Sequence, residues 1–243
     1  MRIVVAGMIL IFGVGVAYAN DDGLTIKKKP DECNNWSWGT NAAYCTNKGV
    51  ACVDEDESEI KKRSDAAVGN QKDFEGKVRA LRQYVHDQMM LSEKLRVSMD
   101  SHDINCLTTI QKLNSGLGGF CDQQADVFMH LAQKQRITTQ MVWLYRKNYK
   151  DIYDSCHTIA EAFDGNRWVI VDPLYNLELK NNDGKMASRE DVTNDLDIIR
   201  RLPNFRELEK IAPCKGANTE EWLEIYTQQN PFYVNLKLRG DTN

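Results

Sequence analysis

The chain has 243 residues, with 31 Lys or Arg against 35 Asp or Glu, which gives a formal net charge of −4 at pH 7. This mildly acidic balance does not favour binding to nucleic acid, and it does not favour electrostatic attachment to an anionic membrane. The length is sufficient for one well-buried core with extensions.

The N-terminus has the pattern of a secretory signal peptide. Arg2 provides a short positive region, residues 3–16 are an apolar run, and residues 17–19 (Ala-Tyr-Ala) form a small-x-small cleavage site. The run is shorter than the about 20 apolar residues that a membrane span needs, and an uncleaved anchor is the alternative. We expect a signal peptide over residues 1–19 and a secreted or periplasmic mature protein with no membrane contact beyond that peptide.

Seven cysteines accompany this export signal, namely Cys33, Cys45, Cys52, Cys106, Cys121, Cys156 and Cys214. In an oxidising compartment six of them can form disulfides, which leaves one free thiol. A nucleophilic role would explain a free thiol in an exported protein. The alternative is that Cys121 pairs with Cys106 or Cys156 in a structural or redox-active disulfide. Cys156 precedes His157 on a predicted strand, so its side chain is expected on the opposite face.

The first part of the mature chain contains an irregular arm and two helices. Residues 20–53 are rich in Asn, Trp and Cys and lack periodicity, so we expect an arm tied by disulfides. Apolar residues at helical spacing predict an amphipathic helix over residues 73–91. A second helix is predicted over residues 121–134, directly after the Gly-rich residues 115–119. Glycines there allow a sharp turn and a close approach of the backbone to a substrate.

Cys121 is the first residue of the predicted helix over residues 121–134. The positive end of the helix dipole favours the thiolate over the thiol at such a position. The backbone N–H groups that lack a partner within the first turn can stabilise an oxyanion. The position therefore suits a nucleophilic thiol.

Three strands are predicted after this helix, over residues 139–145, 157–163 and 166–172. The last two are joined by Asp164-Gly165, a strong signal for a two-residue hairpin loop. In that register His157 faces Asp172, and facing residues have Cβ atoms about 4.5–5.5 Å apart, close enough for a carboxylate to hold an imidazole. A turn one residue later would place Asp172 opposite Ile159 instead.

Helices are predicted again after the third strand. Ser188 can cap a helix over residues 189–202, and Asn218 with Glu221 can cap a short helix that ends at Tyr226.

The order of these elements indicates an α+β fold, in which a helix packs on one face of an antiparallel sheet. We expect a core over residues 54–180. A helical C-terminal extension over residues 181–243 is expected to pack on the same domain.

Three motifs together resemble the transglutaminase-like superfamily of cysteine enzymes. They are Gly119-Phe120-Cys121 at the head of a helix, His157 at the start of a strand, and Trp168-Val169-Ile170-Val171-Asp172-Pro173 at the end of the next strand. The resemblance implies a papain-like, transglutaminase-like core with the nucleophile helix packed on an antiparallel β-sheet. It also implies Cys121 as the nucleophile, His157 as the general base and Asp172 as the carboxylate that orients the base.

These residues predict an exported thiol enzyme that acts on amide bonds of a protein or peptide substrate through a thioester intermediate. Water as the acceptor would make it a peptidase or amidase, and an amine would make it an acyltransferase. No cofactor or metal is expected, because no Cys-x-x-Cys or His-x-x-x-His spacing indicates zinc. No clustered acidic loop matches the calcium sites of animal transglutaminases. The sequence leaves the oligomeric state open.

Two alternatives come from other classes of protein. The first is a catalytically silent member of the same fold that serves as a binding or assembly module, since a fold does not by itself imply activity. The second is a redox protein that uses Cys121 with Cys106 or Cys156. A thiol that reacts at acidic pH favours the enzyme, an inert thiol favours the binding module, and a disulfide at Cys121 favours the redox protein.

Overall fold

A computed structural model describes residues 56–89, 107–116, 118–145, 155–203, 223, 225–227 and 232–234. The helices in these ranges are α1 (Glu57–Val68), α2 (Phe74–Gln88), α3 (Thr109–Asn114), α4 (Cys121–Lys134), α5 (Arg189–Asn194) and α6 (Asp197–Arg200). The strands β1 (Thr139–Tyr145), β2 (Ser155–Phe163), β3 (Trp168–Val171) and β4 (Phe232–Val234) form one antiparallel sheet in the order β3-β2-β1-β4. The predicted α+β fold class is confirmed. Within the described residues, no helix has both the length and the apolar character that crossing a membrane requires.

Aspartates begin the first two helices. Asp56 accepts a hydrogen bond from the Glu59 N–H (2.9 Å) at the start of α1, and Asp73 accepts one from the Gly76 N–H (2.7 Å) at the start of α2. Each bond satisfies a backbone donor that has no partner inside its helix. The helix predicted over residues 73–91 is therefore α2, which is capped by its preceding Asp and ends slightly earlier than expected.

Two hydrophobic cores lie on opposite faces of the sheet, because side chains alternate along each strand. Helices α1, α2 and α4 contribute to one core, in which the strands supply Met141, Trp143, Ala160, Ala162, Val169 and Val171. The part of the chain that follows β3 contributes to the other core, in which the strands supply Val142, Leu144, Ile159 and Ile170. The sheet is therefore the middle layer of three.

The C-terminal extension differs from its prediction in two places. One helix is predicted over residues 189–202, but α5 ends at Asn194 and α6 begins at Asp197. The Asp195 carboxylate accepts a hydrogen bond from the Asp197 N–H (3.0 Å), and this local bond competes with a continuous helix. The extension also supplies β4, which pairs with β1 at the edge of the sheet, so it is not entirely helical. Most of the short helix predicted to end at Tyr226 lies outside the described residues.

The β2–β3 hairpin has a four-residue loop in place of the predicted two-residue loop. Phe163 pairs with Trp168 across the end of the loop. The Asp164 carboxylate accepts hydrogen bonds from the N–H groups of Asn166 (2.8 Å) and Arg167 (2.9 Å). An aspartate that bonds its own following backbone in this way stabilises a wider turn.

The longer loop moves each pairing partner by two residues along β3. Ala160 pairs with Val171, and extending the same ladder places Asp172 opposite Ile159. The predicted register, in which His157 faces Asp172 directly, is therefore wrong. The alternative register that the sequence left open is the one that forms.

Candidate active site

Cys121 is the first residue of α4, and its side chain is a partly exposed free thiol. The Phe120 N–H just before it donates to Gln123 Oε1 (2.7 Å), which caps this end of the helix. The positive end of the helix dipole therefore lies at the thiol, where it favours a negative charge on sulfur. The buried face of α4 belongs to the core on its side of the sheet, which fixes the position of the thiol.

The Gly-rich segment before α4 is tied to the end of α2. The Gln124 side-chain amide donates to the carbonyls of Gly119 (2.8 Å) and Met89 (2.9 Å), and the Gly119 N–H donates to the same Met89 carbonyl (3.2 Å). A glycine suits this close approach, because a Cβ atom at position 119 would lie 2.6 Å from the Met89 Cε atom. These contacts hold the backbone that leads into Cys121.

His157 and Asp172 are in direct contact, with the imidazole Nε2 atom 2.6 Å from the carboxylate Oδ2 atom. Both side chains are fully buried. The contact forms in spite of the shifted register. His157 and Ile159 point to the same face of β2, and Asp172, which directly follows β3, lies opposite Ile159. Diagonal neighbours on one face of a sheet are about 7–8 Å apart, which large side chains can bridge.

Asp172 accepts two further hydrogen bonds. The Tyr226 OH donates to Oδ2 (2.6 Å), and the Tyr175 N–H donates to Oδ1 (3.1 Å). Burial alone would raise the pKa of Asp172, but the facing His157 and these donors outweigh burial and keep the pKa below its ordinary value. The buried carboxylate is therefore charged and has donors on both oxygens.

The His157 imidazole has both this carboxylate and the thiol as neighbours. Burial alone would lower its pKa, but the Asp172 charge and the Cys121 thiol outweigh burial and raise the pKa from 6.5 to about 10. Nε2 is engaged by Asp172, whereas Nδ1 is buried and makes no hydrogen bond of normal geometry with the described residues. Nδ1 is therefore the ring nitrogen that can exchange a proton with Cys121.

Helix α2 holds the turn that follows the carboxylate. The buried Arg82 donates to Asn176 Oδ1 (2.8 Å) and to the Leu177 carbonyl (2.6 Å). One turn further along the helix, the His86 Nδ1 atom lies 2.9 Å from the Pro173 carbonyl. The position of the carboxylate thus depends on a helix that is distant in the chain.

Tyr226 and Arg82 are residues of the site that the sequence did not predict. The residue pattern predicts Tyr226 only as the end of a short helix, and nothing local marks it as a partner of a carboxylate. Arg82 directly follows Leu81 in the predicted amphipathic helix, and both side chains are buried. A charged residue at the edge of an apolar helix face is a weak signal for a buried acceptor.

Cys121 is a free thiol, which does not favour the redox alternative. Its candidate partners, Cys106 and the side chain of Cys156, lie outside the described residues. The predicted signal peptide (residues 1–19) and the predicted N-terminal arm (residues 20–53) also lie outside them. In the described ranges, no group of three or more His, Cys, Asp or Glu side chains could hold a metal ion.

Comparisons with solved structures gave two weak similarities. A candidate cysteine protease from Cytophaga hutchinsonii is 17% identical with a TM-score of 0.38, over 54% of this chain and 40% of that chain. A candidate protease from Parabacteroides distasonis is 10% identical with a TM-score of 0.40, over 49% of this chain and 24% of that chain. The chain therefore spans less than half of the length of either protein. A comparison with curated proteins found no significant match.

A family model described as the Transglutaminase-like superfamily matches residues 61–173, a range that contains Cys121, His157 and Asp172. A free thiol beside a buried His–Asp pair, within such a match, supports a thiol enzyme. The predicted resemblance is confirmed, and the chain carries a transglutaminase-like superfamily domain at residues 61–173.

Proposed function

We propose that this protein is a thiol enzyme that attacks amide carbonyls, with Cys121 as the nucleophile, His157 as the general base and Asp172 as the orienting carboxylate. One observation carries the proposal: the buried His157 ring binds Asp172 through Nε2 and has the Cys121 thiol as a neighbour. A thiol, an imidazole and a carboxylate in contact in this order are the groups that nucleophilic catalysis requires. The family match supports the same assignment.

In the proposed first step, the proton of the Cys121 thiol moves to Nδ1 of His157, and the Asp172 charge stabilises the resulting imidazolium. The thiolate then attacks the carbonyl carbon of the amide. An S–C bond forms, and the carbonyl π electrons move onto the oxygen, which gives a tetrahedral intermediate with an oxyanion. The Cys121 N–H at the start of α4 would stabilise that oxyanion. When the C–N bond breaks, the imidazolium donates its proton to the leaving amine, and a thioester on Cys121 remains.

The acceptor that resolves the thioester determines the reaction class. Attack by water, with His157 again as the base, would regenerate the thiol and make the protein a peptidase or amidase. Attack by an amine would form a new amide and make it an acyltransferase. We expect a protein or peptide substrate, and mass spectrometry of products formed with and without an added primary amine distinguishes the two acceptors.

Export belongs to the proposal on the basis of Arg2, the apolar run over residues 3–16 and the small-x-small site at residues 17–19. We expect that the full chain, expressed in a bacterial host, is recovered outside the cytoplasm with Asn20 as its first residue. N-terminal sequencing of the recovered protein checks this. A cytoplasmic protein that retains its first residues would contradict export but would leave the thiol chemistry untouched.

Iodoacetamide labelling of Cys121 as a function of pH tests the proposed ion pair. Because a neighbouring imidazolium stabilises a thiolate, we expect wild-type Cys121 to label at acidic pH. In His157→Ala, the labelling rate at about pH 6 should fall at least about tenfold. Mass mapping of the labelled peptides assigns the reaction to Cys121.

His130→Ala is the matched control for this experiment. His130 lies on the same helix as Cys121, but its Nε2 atom faces Asp126 Oδ1 at 3.7 Å. The control variant should label with the wild-type profile. An inert Cys121 in a folded protein would indicate a binding module, and a disulfide at Cys121 would indicate a redox protein, so either result contradicts the proposal.

A further inference from the structure

Tyr226 of the C-terminal extension places its phenol against the carboxylate of the proposed triad. Tyr226 is fully buried, and its OH donates to Asp172 Oδ2 at 2.6 Å, the same oxygen that lies 2.6 Å from Nε2 of His157. Tyr226 lies outside the family match at residues 61–173. An O–H donor at this distance from a charged oxygen makes one of the stronger kinds of hydrogen bond.

We propose that Tyr226 is a positioning residue that acts through Asp172, because its phenol shares the carboxylate charge and so limits how strongly Asp172 holds the proton of His157. A hydrogen bond to the charged form of an acid stabilises that form and makes the carboxylate a weaker base. The proposal rests on the proposed thiol chemistry, since the ionisation of His157 controls the thiolate.

The groups that face Asp172 come from several elements. The Tyr175 N–H of the following turn donates to Oδ1, and His157 of β2 contacts Oδ2. The Arg82 guanidinium of α2 acts on the carboxylate through its charge. The Tyr226 and His157 rings also meet nearly edge to face, with centroids 6.0 Å apart. Tyr226 therefore contacts both members of the buried pair.

Tyr226→Phe removes one oxygen atom and keeps the buried ring. Without the phenol, Asp172 is more basic and binds the imidazolium more strongly, so the His157 pKa should rise by about one unit. The negative charge of Asp172 is then less compensated and disfavours the nearby Cys121 thiolate. The rise of the Cys121 labelling rate with pH should therefore begin at a higher pH. A general loosening of the site would act differently. It would weaken the ion pair, so the labelling rate would begin to rise at a higher pH while the His157 pKa would fall.

NMR titration of the imidazole resonances measures the His157 pKa, and the chain has only four histidines to assign. Iodoacetamide labelling on the same samples gives the pH at which the Cys121 labelling rate begins to rise, and circular dichroism checks the fold. Tyr84→Phe is the matched control, because the Tyr84 hydroxyl contacts Arg63 (3.5 Å) and not the site. In an Asp172→Asn background, adding Tyr226→Phe should move neither readout, since the phenol would have no carboxylate through which to act.

An unchanged or lowered His157 pKa in Tyr226→Phe overturns the inference, even if wild-type labelling supports the ion pair. If Cys121 is inert in the wild type, the proposed function fails, and the NMR titration still decides whether Tyr226 tunes His157. If Tyr226→Phe does not fold, the wild type provides the measurement. Its Tyr226 phenol proton should exchange slowly and shift as His157 titrates, and the absence of such a resonance overturns the inference.

Discussion

Asp172→Asn is expected to lower the rate of thioester formation by about 10³–10⁴-fold, the loss typical of a catalytic triad without its carboxylate. Burial by itself lowers the pKa of His157, and the Asp172 charge contributes most to raising it. With a neutral amide in place of the carboxylate, His157 becomes a weaker base, and its imidazolium is buried without a counter-charge. The release of p-nitrophenol from an activated acetate ester measures the acylation rate without a known natural substrate.

The amide also fits the hydrogen bonds at this position poorly. The Asp172 carboxylate accepts from the Tyr226 OH on one oxygen and from the Tyr175 N–H on the other. An asparagine offers one acceptor oxygen and an NH2 donor, so one of these groups would have to turn away from its present partner. We expect the free energy of unfolding to fall by about 1–3 kcal/mol in the same variant.

The pH dependence of that stability difference follows from the two pKa shifts. The pKa of Asp172 is lowered from 3.8, so its contribution is present above that pH and is lost as the pH falls further. The pKa of His157 is raised from 6.5 to about 10, so its contribution is present below pH 6.5 and is lost as the pH rises toward 10. The difference between wild type and Asp172→Asn should therefore be largest between about pH 4 and 6.5.

Asp183→Asn is the control for this substitution, because Asp183 is exposed in a turn. Its acylation rate and unfolding curve should match those of the wild type. A loss of less than about tenfold in Asp172→Asn, in a protein that remains folded, would contradict the role proposed for the carboxylate.

Lys112→Met is expected to lower the free energy of unfolding by about 3–5 kcal/mol, which is the typical cost of leaving one charge of a buried ion pair without its partner. Lys112 Nζ lies 2.5 Å from Asp126 Oδ2, and the side chains are only 1% and 5% exposed. Met preserves the aliphatic part of the side chain but leaves the Asp126 carboxylate buried without its close partner, because His130 Nε2 faces the other oxygen at the longer distance of 3.7 Å. Urea denaturation at pH 7 measures the loss. The pair joins α3 to α4, the helix that begins at Cys121.

Two further variants separate this effect from a loss of packing. In the double variant with Lys112→Met and Asp126→Leu, no buried charge is left unpaired, and most of the lost stability should return. Lys61→Met is the surface control, because Lys61 and Asp65 form a pair at 2.6 Å with side chains 60% and 52% exposed. The control should not change the unfolding curve measurably. Equal losses in Lys112→Met and Lys61→Met would show that burial of the pair is unimportant.

Local signals predicted the elements that carry the site but not their pairing register. The bounds of α4 and β1 agree with the prediction, because the Gly-rich segment and the change in apolar periodicity mark them. The Asp-Gly pair in the hairpin predicts a tight turn, whereas the Asp164 side chain builds a wider one by bonding the N–H groups of Asn166 and Arg167. Residue types alone do not distinguish these two uses of an aspartate.

The sequence by itself determined which chemical groups are present and in what order: a thiol at the start of a helix, an imidazole at the start of a strand and a carboxylate after the next strand. Only the tertiary structure decided which partners these groups receive. The Tyr226 phenol reaches Asp172 across 54 residues, and Arg82 reaches Asn176 across 94 residues. Such contacts depend on how separate layers pack on the sheet, and packing between distant segments leaves no periodic pattern in the sequence.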